Sequence, residues 1–280
     1  MERFGPEKQI DLVRIPFESI DIKPEKEKSP VPVLFAPGWA MTPKILGKSL
    51  EGLASKGRRV LSLAHSRESI LDKSQRGHHL VELQKAFALL SIIENLEKEG
   101  IEKVDAVAYS EGGINVSIAA SEFPEKFRNI VYFAPAGIMG KDSFPKLLGR
   151  FNAESIKTAL GAITKPETRK PVLVQLTELL KYIKNVPLSV REAIAISQAD
   201  ILQMMEDLKK MGIGISVIHG VDDKIFPMEK VQKNISKQHT DGFYSVKGGH
   251  HEIFLHPEKY MGVVEKALTA LEKKRKEDKE

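Results

Sequence analysis

Val104-Asp-Ala-Val-Ala-Tyr-Ser110-Glu-Gly-Gly113 carries an apolar run straight into a serine flanked by small residues, and Ile114 to Ala120 then reads as a helix. A run with so little polar alternation suits a strand covered on both faces. A serine held out for chemistry at a sharp turn from strand into helix would take a positive φ. Its neighbours two places away must then be small enough for strand and helix to approach. Ala108 and Gly112 meet that limit on either side of Ser110. A serine at a strand-to-helix junction is also commonly a plain N-cap, so the segment alone leaves two readings, a hydroxyl held out for chemistry or a cap.

Working outward, the same alternation of strand and helix recurs. Val31 to Ala36 is a short continuous apolar run ending in Pro37-Gly38, followed by a helix from about Pro43 to Lys56. Arg59 to Ala64 predicts the next strand. His79 to Glu99 predicts an amphipathic helix with Leu80, Leu83, Phe87, Leu90, Ile93 and Leu96 on one stripe. Asn129 to Ala134, Ile213 to His219 and Phe243 to Lys247 are further strand candidates, and Pro257 to about Glu272 is a last helix with the tail EKKRKEDKE fraying into solvent. Gln9 to Lys23 alternates in the way of one or two antiparallel strands. Strands that alternate with helices call for a mostly parallel central sheet with helices on both faces, the α/β class. Between Pro135 and Gly212 the strand rhythm stops and helical segments take over, so we divide the chain into a core over 1–137, a helical cap or lid over 138–210, and the rest of the core over 211–280.

The bulk numbers bound the function. At 280 residues and 41% hydrophobic, the chain suffices for one large α/β domain with an embedded insertion. Lys plus Arg number 43 against 38 Asp plus Glu. We read that surplus as partly terminal charge runs, too small and scattered to point to nucleic acid. With no cysteine there is no disulfide, no thiolate metal site and no sulfur nucleophile. The N-terminal MERFGPEKQIDLVRI has charges where a signal peptide needs an apolar stretch, and no window approaches 18 uncharged apolar residues. The expectation is a cytoplasmic protein without stable membrane insertion. A Lys-rich cap and tail would also suit a membrane-surface role, against the plainer reading of solvated charge.

With the serine segment in hand, the chain resembles the α/β-hydrolase superfamily, in its esterase and lipase-like members with a helical cap. Ala108 stands where the nucleophile-elbow pattern G-x-S-x-G has its first glycine. Three other segments carry the resemblance over almost the whole length. Pro37-Gly38-Trp39 follows a core strand where the family forms half of its oxyanion hole; the family's histidine before the glycine is absent, which leaves the main-chain donor in place. A Pro-Gly turn beside a core tryptophan is the structural alternative. Ile215 to Pro227, ISVIHGVDDKIFP, puts Gly220, Asp223 and Pro227 in register with a G-x-x-D-x-x-x-P pattern; Asp222, one place early, competes, and Asp142 is a distant alternative after Ala134. Gly248-Gly249-His250-His251 precedes the last helix and resembles a G-H-x6-P ending. There His251 and His256 are left to structural or solvent-facing roles, and no metal spacing accompanies them.

The resemblance implies Ser110 as nucleophile, His250 as base, Asp223 as the acid that orients it, and the backbone N–H groups of Trp39 and Glu111 as the oxyanion hole. The expected reaction is acyl transfer on a small-molecule carboxylic ester of short to medium acyl length, with no cofactor and no metal. Trp39, Tyr109, Phe144 and Phe151 are the candidate substrate-binding residues. Other apolar positions of the cap, Leu173, Leu176 and Leu180 among them, are candidates for pocket wall or cap core. Thioesterase, peptidase, C–C hydrolase, lyase and perhydrolase chemistry on the same triad stay open, as does a slow-turnover ligand sensor. Oligomeric state is not legible.

Overall fold

The computed structural model describes residues 17–65 and 78–277. Seven strands form one sheet: β1 (Phe17–Ile22), β2 (Ser29–Ala36), β3 (Arg58–His65), β4 (Val104–Tyr109), β5 (Phe127–Phe133), β6 (Gly214–Gly220) and β7 (Gly242–Val246). Their order across the sheet is β1-β3-β2-β4-β5-β6-β7. β1 pairs antiparallel with β3 and every other pair is parallel. The expected mostly parallel sheet is therefore present, and of the N-terminal strand prediction the part from Gln9 to Pro16 lies outside the described residues.

Helices cover both faces. α1 (Pro43–Ala54) and α10 (Pro257–Glu277) lie on one side; α2 (His78–Glu97), α3 (Gly112–Glu122) and α7 (Leu202–Lys210) lie on the other. β4 alternates between the two cores, Val104, Ala106 and Ala108 packing with the α2 and α3 side, Val107 and Tyr109 with the α1 and α10 side. Apolar cover on both faces is why this strand reads as a continuous run. The chain leaves β2 in one direction to pair β3, then crosses over to place β4 on the other side of β2. Such a reversal opens a crevice at the carboxyl ends of the two strands, and Gly38-Trp39 and Ser110 are the residues that follow those ends.

Between β5 and β6 run α4 (Phe144–Thr164), α5 (Pro166–Ile183) and α6 (Val186–Gln198). They stand over this crevice, α6 against α2 and α5 against α1 and the short α9 (Glu252–Leu255). α7, inside the 138–210 block, packs Met205 and Leu208 into the sheet-side core. After β6 comes α8 (Met228–Asn234).

Two expectations need correction. α2 is not buried on a single stripe: Val81, Glu82, Gln84, Lys85 and Ala86 are buried as well, because α3 covers one side of the helix and α6 another. The C-terminal tail does not fray at Glu272: helix continues to Glu277, with Lys274 paired to Asp241 at 2.7 Å and the Arg275 guanidinium donating to the Arg128 and Gly212 carbonyls. Farther up the same helix, Arg58 of β3 donates to Glu265 at 2.6 Å and Glu272 at 2.9 Å, fixing α10 to the sheet. Among the described residues no helix is long and apolar enough to cross a membrane.

Candidate active site

Ser110 sits at the β4–α3 turn with φ +53° and is buried. The strain is imposed by close packing. A Cβ on Gly112 would overlap the Ala36 carbonyl oxygen at the end of β2, and one on Gly38 would stand 2.9 Å from the Ser110 Cβ. The two glycines thus let the β2 loop and the start of α3 close around the serine. Its main chain is held from both sides, Ser110 N–H donating to the Phe133 carbonyl at 3.0 Å and Ala136 N–H to the Ser110 carbonyl at 3.0 Å. The N-cap reading does not describe this serine: the cap position of α3 is Glu111, with no side-chain capping bond, and Ser110 Oγ pairs instead with His250 Nε2 at 3.0 Å.

His250 arrives from the loop after β7. Gly248 at φ +133° has no room for a side chain between Tyr260 and Glu252, and Gly220 of the β6 loop lies against the Gly248 carbonyl. The imidazole is gripped by Tyr109 and Phe226, with ring centroids 5.3 and 5.2 Å away. Its Nδ1 meets Asp223 Oδ2 at 2.8 Å. Asp223 is buried, and its Oδ1 accepts the Ile225 and Phe226 N–H groups at 2.8 and 2.9 Å. Burial by itself would raise this carboxyl. The His250 ring, by charge and hydrogen bond, with His219 and the Phe226 N–H, outweighs it and holds Asp223 below the usual carboxylate range. An ionised Asp223 fixes the tautomer: Nδ1–H donates to the carboxylate and Nε2 is left to accept from the serine hydroxyl.

The competing carboxylates lie elsewhere. Asp222 is exposed, and Asp142 is bonded to Arg150 and to the Ser143 N–H. His256 is half-buried, 3.7 Å from Glu252. His251 is buried; burial first, and His250 beside it, push it down to about 3, so it is neutral. Its Nδ1 lies 3.0 Å from Thr158 Oγ1 of α4, and its Nε2 has no hydrogen-bond partner.

Trp39 follows Gly38 in the loop after β2 and Glu111 follows the serine, and neither main-chain N–H donates to another described group. The cavity over Ser110 encloses about 460 Å³ of empty space, open solvent included, and is mostly apolar. Trp39, Tyr109 and Phe151, three of the four candidate substrate-binding residues, line it, with Leu147, Leu148 and Ile196 from α4 and α6. Tyr109 is fully buried and its hydroxyl donates to the His250 carbonyl at 3.0 Å, so it also braces the histidine. Phe144 lines neither described cavity: it starts α4, and that helix turns Leu147, Leu148 and Phe151 toward the serine. Leu173 and Leu180 line neither cavity and are mostly exposed.

Beside the serine lies a buried charge cluster that sequence reasoning missed. Lys85 Nζ of α2 meets Glu111 Oε1 at 2.5 Å and Glu192 Oε1 of α6 at 2.9 Å, with Glu82 Oε1 at 4.0 Å. Glu192 Oε2 accepts the Trp39 indole N–H at 2.9 Å, and Glu82 Oε2 accepts from Asn115 Nδ2 at 2.5 Å. Three buried carboxyls around one ammonium cannot all be charged. Burial, then the neighbouring Glu111, push Glu82 well above the usual carboxylate range, so Glu82 is the carboxyl of the cluster that keeps its proton. The network ties both residues proposed for the oxyanion hole, Trp39 and Glu111, to α6. Its members gave no signal because a Glu and a Lys three apart on a helix read as a solvated pair.

No protein-family profile matches the chain. It is 24% identical over 255 residues, 86% of its own length and 88% of the other's, to a putative non-heme haloperoxidase of Mycobacterium phage D29. Among solved structures it is similar to a thermophilic esterase from Thermogutta terrifontis, with a TM-score of 0.67, 15% identity, and coverage of 92% of this chain and 94% of that one. It is likewise similar to bromoperoxidase from Bacillus anthracis, with a TM-score of 0.65, 18% identity, and coverage of 91% and 96%. At such identities what is shared is the arrangement of strands and helices.

Proposed function

We propose, from the premise that the chain has the α/β-hydrolase fold, that it is a serine hydrolase cleaving carboxylic esters of short to medium acyl length through an acyl-enzyme. The observation that carries this reading is the unbroken chain Ser110 Oγ to His250 Nε2 at 3.0 Å and His250 Nδ1 to Asp223 Oδ2 at 2.8 Å, beneath an apolar cavity. Ser110 Oγ attacks the ester carbonyl carbon while His250 Nε2 takes its proton. The ionised Asp223 stabilises the imidazolium. The Trp39 and Glu111 N–H groups hold the oxyanion, each such donor being worth roughly 3 kcal/mol in comparable sites. Collapse expels the alcohol, which takes the proton back from His250. Water, deprotonated by the same nitrogen, then releases the acid and restores Ser110. α4 to α6 act as a cap whose apolar wall selects the acyl group.

The esterase among the similar structures supports ester cleavage, and the two haloperoxidase names favour a second outcome for the same acyl-enzyme. Hydrogen peroxide in place of water would release a peracid rather than an acid. The test is hydrolysis of p-nitrophenyl esters from acetate to laurate by wild type and Ser110→Ala, with and without peroxide. Turnover that vanishes in the alanine variant, with an optimum at short or medium chains, is expected. A folded protein that turns over none of these esters refutes the reading.

A further inference from the structure

The surplus of positive charge has one address. Residues 144–198, spanning α4 to α6, carry nine Lys and Arg against four Asp and Glu, a difference equal to that of the whole chain, so the remainder is balanced. This corrects the reading of that surplus as terminal charge runs. Of the four acids, Glu154, Glu178 and Glu192 are buried, which leaves Glu167 as the acid on this surface. Seven of the cations are exposed, Lys165, Lys170 and Lys184 among them.

The same surface is apolar. Ile156, Leu160 and Ile163 of α4, and Leu173, Leu176 and Leu180 of α5, are each between 46% and 66% exposed. Their spacings, i, i+4, i+7 and i, i+3, i+7, each make a stripe along one face of a helix. The two helices form a hairpin, with the Arg169 guanidinium of α5 donating to the Ala162 and Ile163 carbonyls at the end of α4. Among the described residues, eight of the ten exposed large apolar side chains belong to α4 to α6, so this is a patch rather than scatter.

We infer that the outer face of α4 and α5 docks on an anionic lipid surface. Such a surface presents phosphates and acyl chains in one plane, the two chemistries this face combines. A second copy of the chain would bring a like-charged face against it, and nucleic acid would leave the leucines unserved. The patch also continues inward. Leu176, in the outer stripe, lines a second cavity between α4 and α5, and that cavity shares Trp39, Met41 and Phe151 with the one over Ser110. Trp39, Met41 and Phe151 therefore stand between the docked face and the cavity over the serine. The docking itself goes beyond the proposed hydrolysis and does not require it.

The test is flotation of the intact chain with vesicles of phosphatidylcholine containing about one-third phosphatidylglycerol, against phosphatidylcholine alone. Binding to the mixed vesicles is expected, weakened by salt. The Lys165→Gln, Lys170→Gln, Lys184→Gln variant should lose roughly fivefold in partitioning per cation, on the order of 100-fold in all. Leu160→Ser, Leu173→Ser, Leu180→Ser, at exposed positions outside both cavities, should also release the protein while leaving its circular dichroism unchanged. No binding to either vesicle, equal binding to both, or an unaffected lysine variant overturns the inference. So does a dimer that the leucine variant dissociates, since the face would then join two copies. Because flotation reads no turnover, a wild-type chain that hydrolyses p-nitrophenyl esters but floats with neither vesicle refutes the docking alone, and one that floats with the mixed vesicles but hydrolyses no ester refutes the proposed reaction alone.

Discussion

Replacing Lys85 by Met removes the one ammonium from among Glu82, Glu111 and Glu192 while roughly conserving volume. The side chain is buried, and two of the carboxylates lie 2.5 and 2.9 Å from its nitrogen. The folded variant can relieve the two negative charges left behind only by taking up protons. At pH 7, holding one carboxyl neutral that is ionised in the unfolded chain costs about 1.36 kcal/mol for each pH unit above an unfolded pKa of about 4.3, roughly 3.5 kcal/mol. That agrees with the ~3–5 kcal/mol lost when one partner of a buried pair is removed. The sign follows from proton binding: the folded variant carries more protons than the unfolded chain, so its deficit grows with pH and shrinks toward the unfolded pKa. At pH 5 the same arithmetic leaves about 1 kcal/mol per carboxyl. Urea unfolding followed by Trp39, the chain's one tryptophan, should therefore show Lys85→Met less stable than wild type by ~3–5 kcal/mol at pH 7 and by much less at pH 5. A loss below about 1 kcal/mol at pH 7, or an equal loss at both values, would refute the account of the cluster.

Three further outcomes are expected. Gly112→Ala forces a Cβ into the Ala36 carbonyl, which is backbone and cannot step aside, so thermal melting should reveal a loss of about 1–3 kcal/mol or more; an unchanged melting temperature would show that the turn has slack. His251 is held neutral down to about 3, well below its unfolded value, so its share of the stability is intact above about pH 6.5 and lost as the pH falls toward 3. His251→Phe should flatten that acid limb by about one proton, ~1.4 kcal/mol per pH unit, and equal slopes in the two proteins would count against it. Asp223→Asn keeps the shape beside His250 and removes the charge that sets its tautomer. With the proposed ester substrates kcat should fall by about 10⁴ and KM little, and a loss under tenfold would sink the role given to Asp223.

The elements were readable because each carries a local rule. β2, β4, β5 and β6 are apolar runs bounded by turn residues, and helices follow them at the expected places. Ser110, Asp223 and His250 were readable for a different reason: each sits at a strand end beside glycines that let loops close on one another, and those glycines mark the positions in the chain. Periodicity says which face of a helix is apolar, however, not what will cover the other faces. α2 reads as one buried stripe, yet α6 descends on its polar side and takes Glu82 and Lys85 inside. Leu173 and Leu180 read as pocket wall or cap core, yet among the described residues no element covers them.

The sequence by itself therefore determined the alternation of strands and helices, the site of the helical insertion, and three side chains that the fold brings into a hydrogen-bonded line. Only the tertiary structure decided that Lys85 and Glu192, 107 positions apart, share a buried cluster with the residue after the serine, and that α4 and α5 turn a cationic, leucine-striped face outward. The difference is physical. A strand or turn is stabilised by residues near one another in the chain, whereas the burial of a charge and the exposure of a leucine depend on which distant element arrives to cover them.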